Sequence, residues 1–176
     1  QGLPDPTGPC DPGYFCASGS DSATPSLGAS ADECPTGHYC PQQSSAPLAC
    51  PPGTYNSATR RTSMGDCQNC TGGNYCPEWN MTAVGSPCDA GYYCESGADV
   101  ATYTECTPGS YCPKGSTLPT PCPAGTFSNT AGLQEEAQCT NCTGGYYCPD
   151  TGMTAAVDEC WGGYYCPSGI DVPNPA

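Results

Sequence analysis

The sequence predicts small disulfide-rich repeats, arranged as an elongated tandem array of short β-hairpins and turns with almost no helix. Three observations predict it. The chain carries 18 cysteines in 176 residues, a density that marks a disulfide scaffold in an oxidising compartment. One hexapeptide, Cys-x-x-Gly-x-aromatic, occurs nine times. The apolar residues of an ordinary core are scarce: five Leu, four Val, one Ile and two Phe, far too few for a packed interior. Covalent closure must replace burial, each bridge contributing roughly 2 to 4 kcal/mol, mainly by restricting the unfolded ensemble.

The hexapeptide starts at Cys10, Cys34, Cys50, Cys70, Cys88, Cys106, Cys122, Cys142 and Cys160. Its fourth residue is always glycine and its sixth always Tyr or Phe, as in Cys50-Pro51-Pro52-Gly53-Thr54-Tyr55. Glycine tolerates φ > 0, and a proline just before it presets the φ required at the second position of a type II turn. The motif therefore reads as a tight turn, after which the aromatic ring is expected to lie across a neighbouring disulfide.

A longer period runs through the motifs. Cys34, Cys40, Cys50, Cys67, Cys70, Cys76 and Cys88 recur 72 positions later as Cys106, Cys112, Cys122, Cys139, Cys142, Cys148 and Cys160. Flanking residues agree, Met81-Thr82-Ala83 returning as Met153-Thr154-Ala155. This is a tandem array. It divides into a first unit at 1–87 with a six-residue insertion near 18–33, a second at 88–159, and an incomplete third at 160–176. Insertions between stapled modules are tolerated because loop-closure entropy grows slowly with length.

Most motifs continue as Cys-x5-Cys, as in Cys88 to Cys94, but after Cys50 and Cys122 the expected cysteine is replaced by Asn56 or Ser128 and arrives later, at Cys67 or Cys139. Two pairing schemes fit these spacings. The simpler joins sequential neighbours, Cys10 with Cys16 and onward to Cys160 with Cys166. The other links motif to motif, as in Cys16 with Cys34 or Cys76 with Cys88. Glycine and proline together supply a quarter of the chain, which limits strands to three or four residues. One helical turn is expected within Leu133–Cys139. Modules that touch only their neighbours would build a rod or ribbon.

Several functions are excluded or disfavoured. Three basic residues (Arg60, Arg61, Lys114) stand against 17 acids, which leaves no cationic footprint for nucleic acid or an anionic membrane. The acids are scattered, and no spaced Asp loop closed by Glu suggests calcium. The two Cys-x-x-Cys pairs, Cys67/Cys70 and Cys139/Cys142, lie 72 residues apart with one histidine in the chain, so structural zinc is not expected and no cofactor is called for. No apolar run approaches a bilayer span. The start at Gln1, in a Pro/Gly-rich stretch without initiator Met or signal-peptide apolar run, fits a processed form or a segment of a longer protein. No enzyme is expected: His38 occupies a variable slot before the aromatic, and no catalytic set assembles around it.

Three sequons are candidate N-glycosylation sites: Asn69, Asn80 and Asn141, with Asn69 and Asn141 in phase with the repeat. Ser20–Ser30 and Ser116–Pro121 have the composition of O-linked segments. Doubled tyrosines at 92/93, 146/147 and 164/165 are expected to place one ring inside and one outside, offering a lateral contact surface.

Cys50-Pro-Pro-Gly-Thr-Tyr with Cys67-x-x-Cys70, and Cys122-Pro-Ala-Gly-Thr-Phe with Cys139-x-x-Cys142, resemble the ephrin-receptor-like cysteine-rich repeats of extracellular proteins. Similar repeats form long arrays in protist and algal surface proteins, including those of flagellar hairs (mastigonemes). The resemblance implies a structural, glycosylated segment of an extracellular filament or cell-surface protein. Such a segment would self-associate as a homo-oligomer or fibre, with other extracellular glycoproteins as further partners. The alternative is a ligand-binding ectodomain segment. Prevalence of Cys-x5-Cys copies departs from the animal receptor pattern and favours the fibrous role. Because sulfur stands in for a core, full reduction should abolish the fold. The check is loss of resistance to protease after reduction and alkylation; an unchanged digestion pattern would contradict it.

Overall fold

The computed structural model describes residues 8–17, 20–26 and 31–175, and of Ala31 the backbone alone. The start at Gln1, and parts of the expected 18–33 insertion and of Ser20–Ser30, lie outside the described residues. Within them the structure is a small disulfide-rich repeat array of antiparallel hairpins.

Each module begins at the turn. All nine motif glycines have φ between 76° and 91°, and the turn is closed by a bond such as that donated by Thr54 N–H to Pro51 C=O at 3.2 Å. With Pro52 ahead of Gly53 this is the expected type II geometry. The two residues after the glycine then pair antiparallel with residues just before the next motif's cysteine. Thr54–Tyr55 pairs with Gln68–Asn69, and Thr126–Phe127 with Thr140–Asn141. Eight such hairpins are formed among the described residues. Only the first, Tyr14–Cys16 with Ala31–Glu33, has three-residue strands; the others have two. In all of them the residue after the aromatic turns its N–H to the following module, as Cys76 does to Ala98 C=O and Cys16 to Ser44 C=O, both at 2.9 Å. The expected helical turn is a 3-10 turn at Glu136–Gln138, with a counterpart at Met64–Asp66.

The cysteines pair in sequence order: Cys10–Cys16, Cys34–Cys40, Cys50–Cys67, Cys70–Cys76, Cys88–Cys94, Cys106–Cys112, Cys122–Cys139, Cys142–Cys148 and Cys160–Cys166. Twelve of them are the largest fully buried side chains among the described residues. The aromatic rings of the first eight motifs are half-buried, and Tyr111 packs on Cys122, Cys139 and Leu133. Arg61 holds the place in the first repeat that Leu133 holds in the second. Its stem can replace leucine as packing, but its buried Nε finds no hydrogen-bond partner among the described residues.

Contacts divide the chain into two compact units, Gln1–Thr71 with Cys76–Gly85 and Gly97–Asp99, and Gly72–Tyr75 with Ser86–Ser96 and Val100–Ala176. Inside each unit, module is joined to module by the same backbone bonds. The motif glycine N–H donates to the residue after the next motif's aromatic: Gly53 to Cys76 C=O, and Gly91 to Cys112 C=O, both at 2.8 Å. The next motif's first cysteine returns an N–H to that glycine, as Cys70 does to Gly53 C=O at 2.8 Å. A third bond reaches the first cysteine's carbonyl from a second left-handed residue, as from Gly97 N–H to Cys70 C=O at 2.9 Å.

Modules also touch their second neighbours, contrary to the nearest-neighbour expectation. A Cβ placed on Gly13 would lie 2.8 Å from the Arg60 carbonyl oxygen, one on Gly91 2.7 Å from that of Gly132, and one on Gly125 2.6 Å from that of Gly169. Gly37, Gly53, Gly73 and Gly109 meet Asn80, Gly97, Gly115 and Gly152 in the same way. At these bends a backbone two modules on closes over the glycine and leaves no room for a side chain. Gly145 and Gly163 share the left-handed φ but meet nothing within 4 Å among the described residues. Gly125→Ala should therefore destabilise by about 1 to 3 kcal/mol more than Gly145→Ala, the overpacking range. Guanidinium unfolding with the bridges intact checks this, and equal losses would remove the second-neighbour contact from the account.

Candidate functional site

The chain presents two kinds of candidate surface: the repeated module interface and the polar edge carrying the sequons. At the interface, the side chains beside the bonded backbone vary freely. The slot after the aromatic holds Cys76 in one module, Asn56 or Ser128 in others, and each offers the same N–H and C=O. Asn56 and Ser128, where the local bridge is missing, are 2% and 4% exposed. Each hydrogen-bonds its own surroundings. Asn56 Nδ2 donates to His38 C=O at 2.8 Å and its Oδ1 accepts from Ala58 N–H at 3.0 Å; Ser128 Oγ accepts from Thr130 N–H at 3.1 Å. A buried polar group so satisfied is stable, and one left bare would not be.

The second left-handed residue was not anticipated from the sequence. It is Gln43, Arg60, Asn80, Gly97, Gly115, Gly132, Gly152 or Gly169. A signal was present in Cys94-Glu-Ser-Gly97, Cys112-Pro-Lys-Gly115 and Cys166-Pro-Ser-Gly169, but three modules without glycine there broke the pattern. Arg60 uses the position to reach back, its guanidinium 5.0 Å from the centre of the Tyr14 ring and its Nε 4.0 Å from Glu33 Oε1. The ion pair is exposed and of the kind worth about 0 to 1 kcal/mol.

Asn69, Asn80 and Asn141 are all exposed. Asn69 and Asn141 end equivalent strands, Gln68–Asn69 and Thr140–Asn141. Each amide faces a glycine two modules on: a Cβ on Gly97 would lie 3.7 Å from Asn69 Cγ, and one on Gly169 3.6 Å from Asn141 Cγ. Asn80 differs, sitting at a left-handed position with φ 55°. The structure thus holds Asn69 and Asn141 in one setting and Asn80 in another. Asn141 also lines an open groove of about 530 Å³ with Pro123, Thr126, Glu136, Ala137 and Cys139.

Tyrosine placement follows position in the array. Tyr92 and Tyr93 are both half-buried, Tyr146 is exposed beside half-buried Tyr147, and Tyr164 and Tyr165 are both exposed. One-in, one-out holds at 146/147 alone. Tyr111 donates to Glu136 Oε2 at 3.4 Å, and its phenol is raised above 10.0 by desolvation and by that carboxylate. His38 Nδ1 lies 3.0 Å from Thr36 C=O. Among the described residues, no group of three or more His, Cys, Asp or Glu is placed to hold a metal ion, and no helix is long and apolar enough to cross a membrane.

These features define a disulfide-stapled hairpin array with a backbone-built interface. No protein-family model matches the chain, and no curated protein matches it; the likeness to ephrin-receptor-like repeats rests on the motifs alone.

The two long loops contain a built-in comparison. Asp66 accepts from Thr62 and Ser63 N–H, both at 3.0 Å, and from the Ser63 hydroxyl at 3.2 Å. Those backbone bonds, Thr62 first, lower its pKa below 3.8. In the second unit the neutral Gln138 accepts from Gln134 and Glu135 N–H instead. A depressed carboxyl contributes stability above its ordinary pKa and loses it as pH falls through the folded value. Protection of the Thr62 and Ser63 amides, taken relative to their unstructured exchange rates, should fall on acidification below 3.8, while that of Gln134 and Glu135 is kept. Parallel behaviour of the two loops would contradict the assignment.

Proposed function

We propose that this chain is a structural segment of an extracellular filament or cell-surface protein, glycosylated at Asn69 and Asn141 and self-associating into fibres. The observation that carries the reading is the module interface, built from backbone groups and repeated with the same bonds through each unit. An interface built from backbone groups and fixed in sequence chiefly at the motif glycine adds modules without needing a unique sequence at each joint. Nine bridges with no free cysteine belong to an oxidising environment. A net charge of −14 keeps the surface soluble. Sugar on Asn69 and Asn141 would leave from exposed residues. Mechanical work is the role this chemistry suits, with no catalytic residue assigned.

Exposed Trp79 and Leu118 favour the second reading, a ligand-binding ectodomain segment, because large apolar side chains in water mark contact surfaces. Electron microscopy of native material with glycans retained separates the two. Rods or helical fibres, together with sugar-bearing peptides spanning Asn69 and Asn141 in mass spectra, are the expected result. Compact monomers at high concentration, binding a soluble partner at fixed stoichiometry, would overturn the filament reading.

A further inference from the structure

The open groove beside Asn141 is walled by a hairpin on one side and by the 3-10 turn on another. Thr126 and Asn141 stand directly opposite each other across the two strands, so their side chains leave the same face. The turn contributes Glu136 and Ala137, and the motif bend contributes Pro123. Its volume of about 530 Å³ falls within the span of small-molecule sites, and apolar and polar groups share its lining. Asn141 also begins the sequon Asn141-Cys142-Thr143. Whatever is bonded to its amide nitrogen therefore starts at the wall of the groove. Gly169 closes another way out: a methyl group there would already be 3.6 Å from Asn141 Cγ, in van der Waals contact, which leaves no space for a sugar ring between them.

We propose that this groove seats the first sugar of the Asn141 glycan, an N-acetylglucosamine, and that the equivalent surface beside Asn69 seats its counterpart. The inference rests on the glycosylation reading and names the protein surface against which the sugar lies. An N-acetylated pyranose brings an apolar ring face and a methyl group to Pro123 and Ala137, and N–H and hydroxyl donors to the Glu136 carboxylate. Glu136 Oε2 already accepts from Tyr111 at 3.4 Å, and a carboxylate keeps further lone pairs for the sugar. In the first unit the shift of 72 puts Pro51, Thr54 and Asn69 in the same places, again with Thr54 opposite Asn69. Thr54 and Thr126 each donate a hydroxyl to the proline carbonyl of their own bend, Pro51 or Pro123, at 2.6 Å. The two walls are built alike. Met64 takes the place of Glu136 there and is 58% exposed. A sugar seated beside it covers a flexible apolar side chain that otherwise stands in water. Asn80 belongs to no strand, so its sugar has no such seat.

Met64 reports on the seat. The full chain, with its bridges formed and high-mannose sugar attached, is treated with dilute peroxide in three forms: intact, trimmed by endoglycosidase H to one N-acetylglucosamine at each sequon, and carrying Asn69→Gln. Peptide mass spectra follow conversion of Met64 to its sulfoxide, peroxide supplying the oxygen atom and leaving as water. Intact and trimmed chains should oxidise Met64 at similar rates, and the Asn69→Gln chain several-fold faster. Met153 should keep one rate in all three, which shows that the fold is kept, and Asn80→Gln should leave Met64 as slow as in the intact chain. In the second unit, NMR of the trimmed chain should show nuclear Overhauser contacts from the N-acetyl methyl on Asn141 to the Ala137 methyl. Equal Met64 rates with and without sugar on Asn69, or an N-acetyl methyl without contact to Ala137, would overturn the seat and leave glycosylation standing. Sugar-free Asn69 and Asn141 peptides from native material would sink the glycosylation itself, and the seat with it.

Discussion

Two left-handed backbone positions in each module determine where its polar groups point. The motif glycine, at φ near +80°, turns its N–H out of its own hairpin toward the next module while its carbonyl receives that module's first cysteine. The second position, three or four residues beyond the slot after the aromatic, sends an N–H back to the preceding cysteine carbonyl. A backbone confined to the usual negative φ would aim these groups elsewhere and leave the joint unbonded. The remaining features accommodate that arrangement: two-residue strands, half-buried rings and glycines with a foreign carbonyl against them.

Sulfur and polar side chains divide the work of an interior that apolar residues do not fill. Cystines supply most of the buried side chains. Where the local bridge is displaced to a longer loop, Asn56 and Ser128 take the vacated place and tie it with hydrogen bonds. Arg61 and Leu133 show the same latitude at one packing position, since the methylene stem of one can do what the branched side chain of the other does.

Much of this architecture is legible in the sequence, because cysteine spacing and turn chemistry are local. Pro52-Gly53 announces its bend, Cys50 and Cys67 announce their loop, and the shift of 72 reproduces Met64–Asp66 as Glu136–Gln138. What escapes is whatever depends on two segments meeting. Asn80 and Arg60 carry side chains at left-handed positions that glycine occupies elsewhere, so composition concealed their equivalence. The closing of Gly13 by Arg60 joins residues 47 apart in the chain, and no periodicity within a motif encodes it. At the candidate surface, the sequons were readable as text, but the bare glycines facing Asn69 and Asn141 emerged only from the fold.

Every bridge closes within its own module, and none crosses to the next. Tension applied along either unit therefore bypasses the loops locked behind sulfur and loads the joints, where backbone bonds carry it. Under pull, such a unit yields by parting at its seams while each knot stays shut. When the load is released, the knots still hold their bends in shape, ready for the seams to close again.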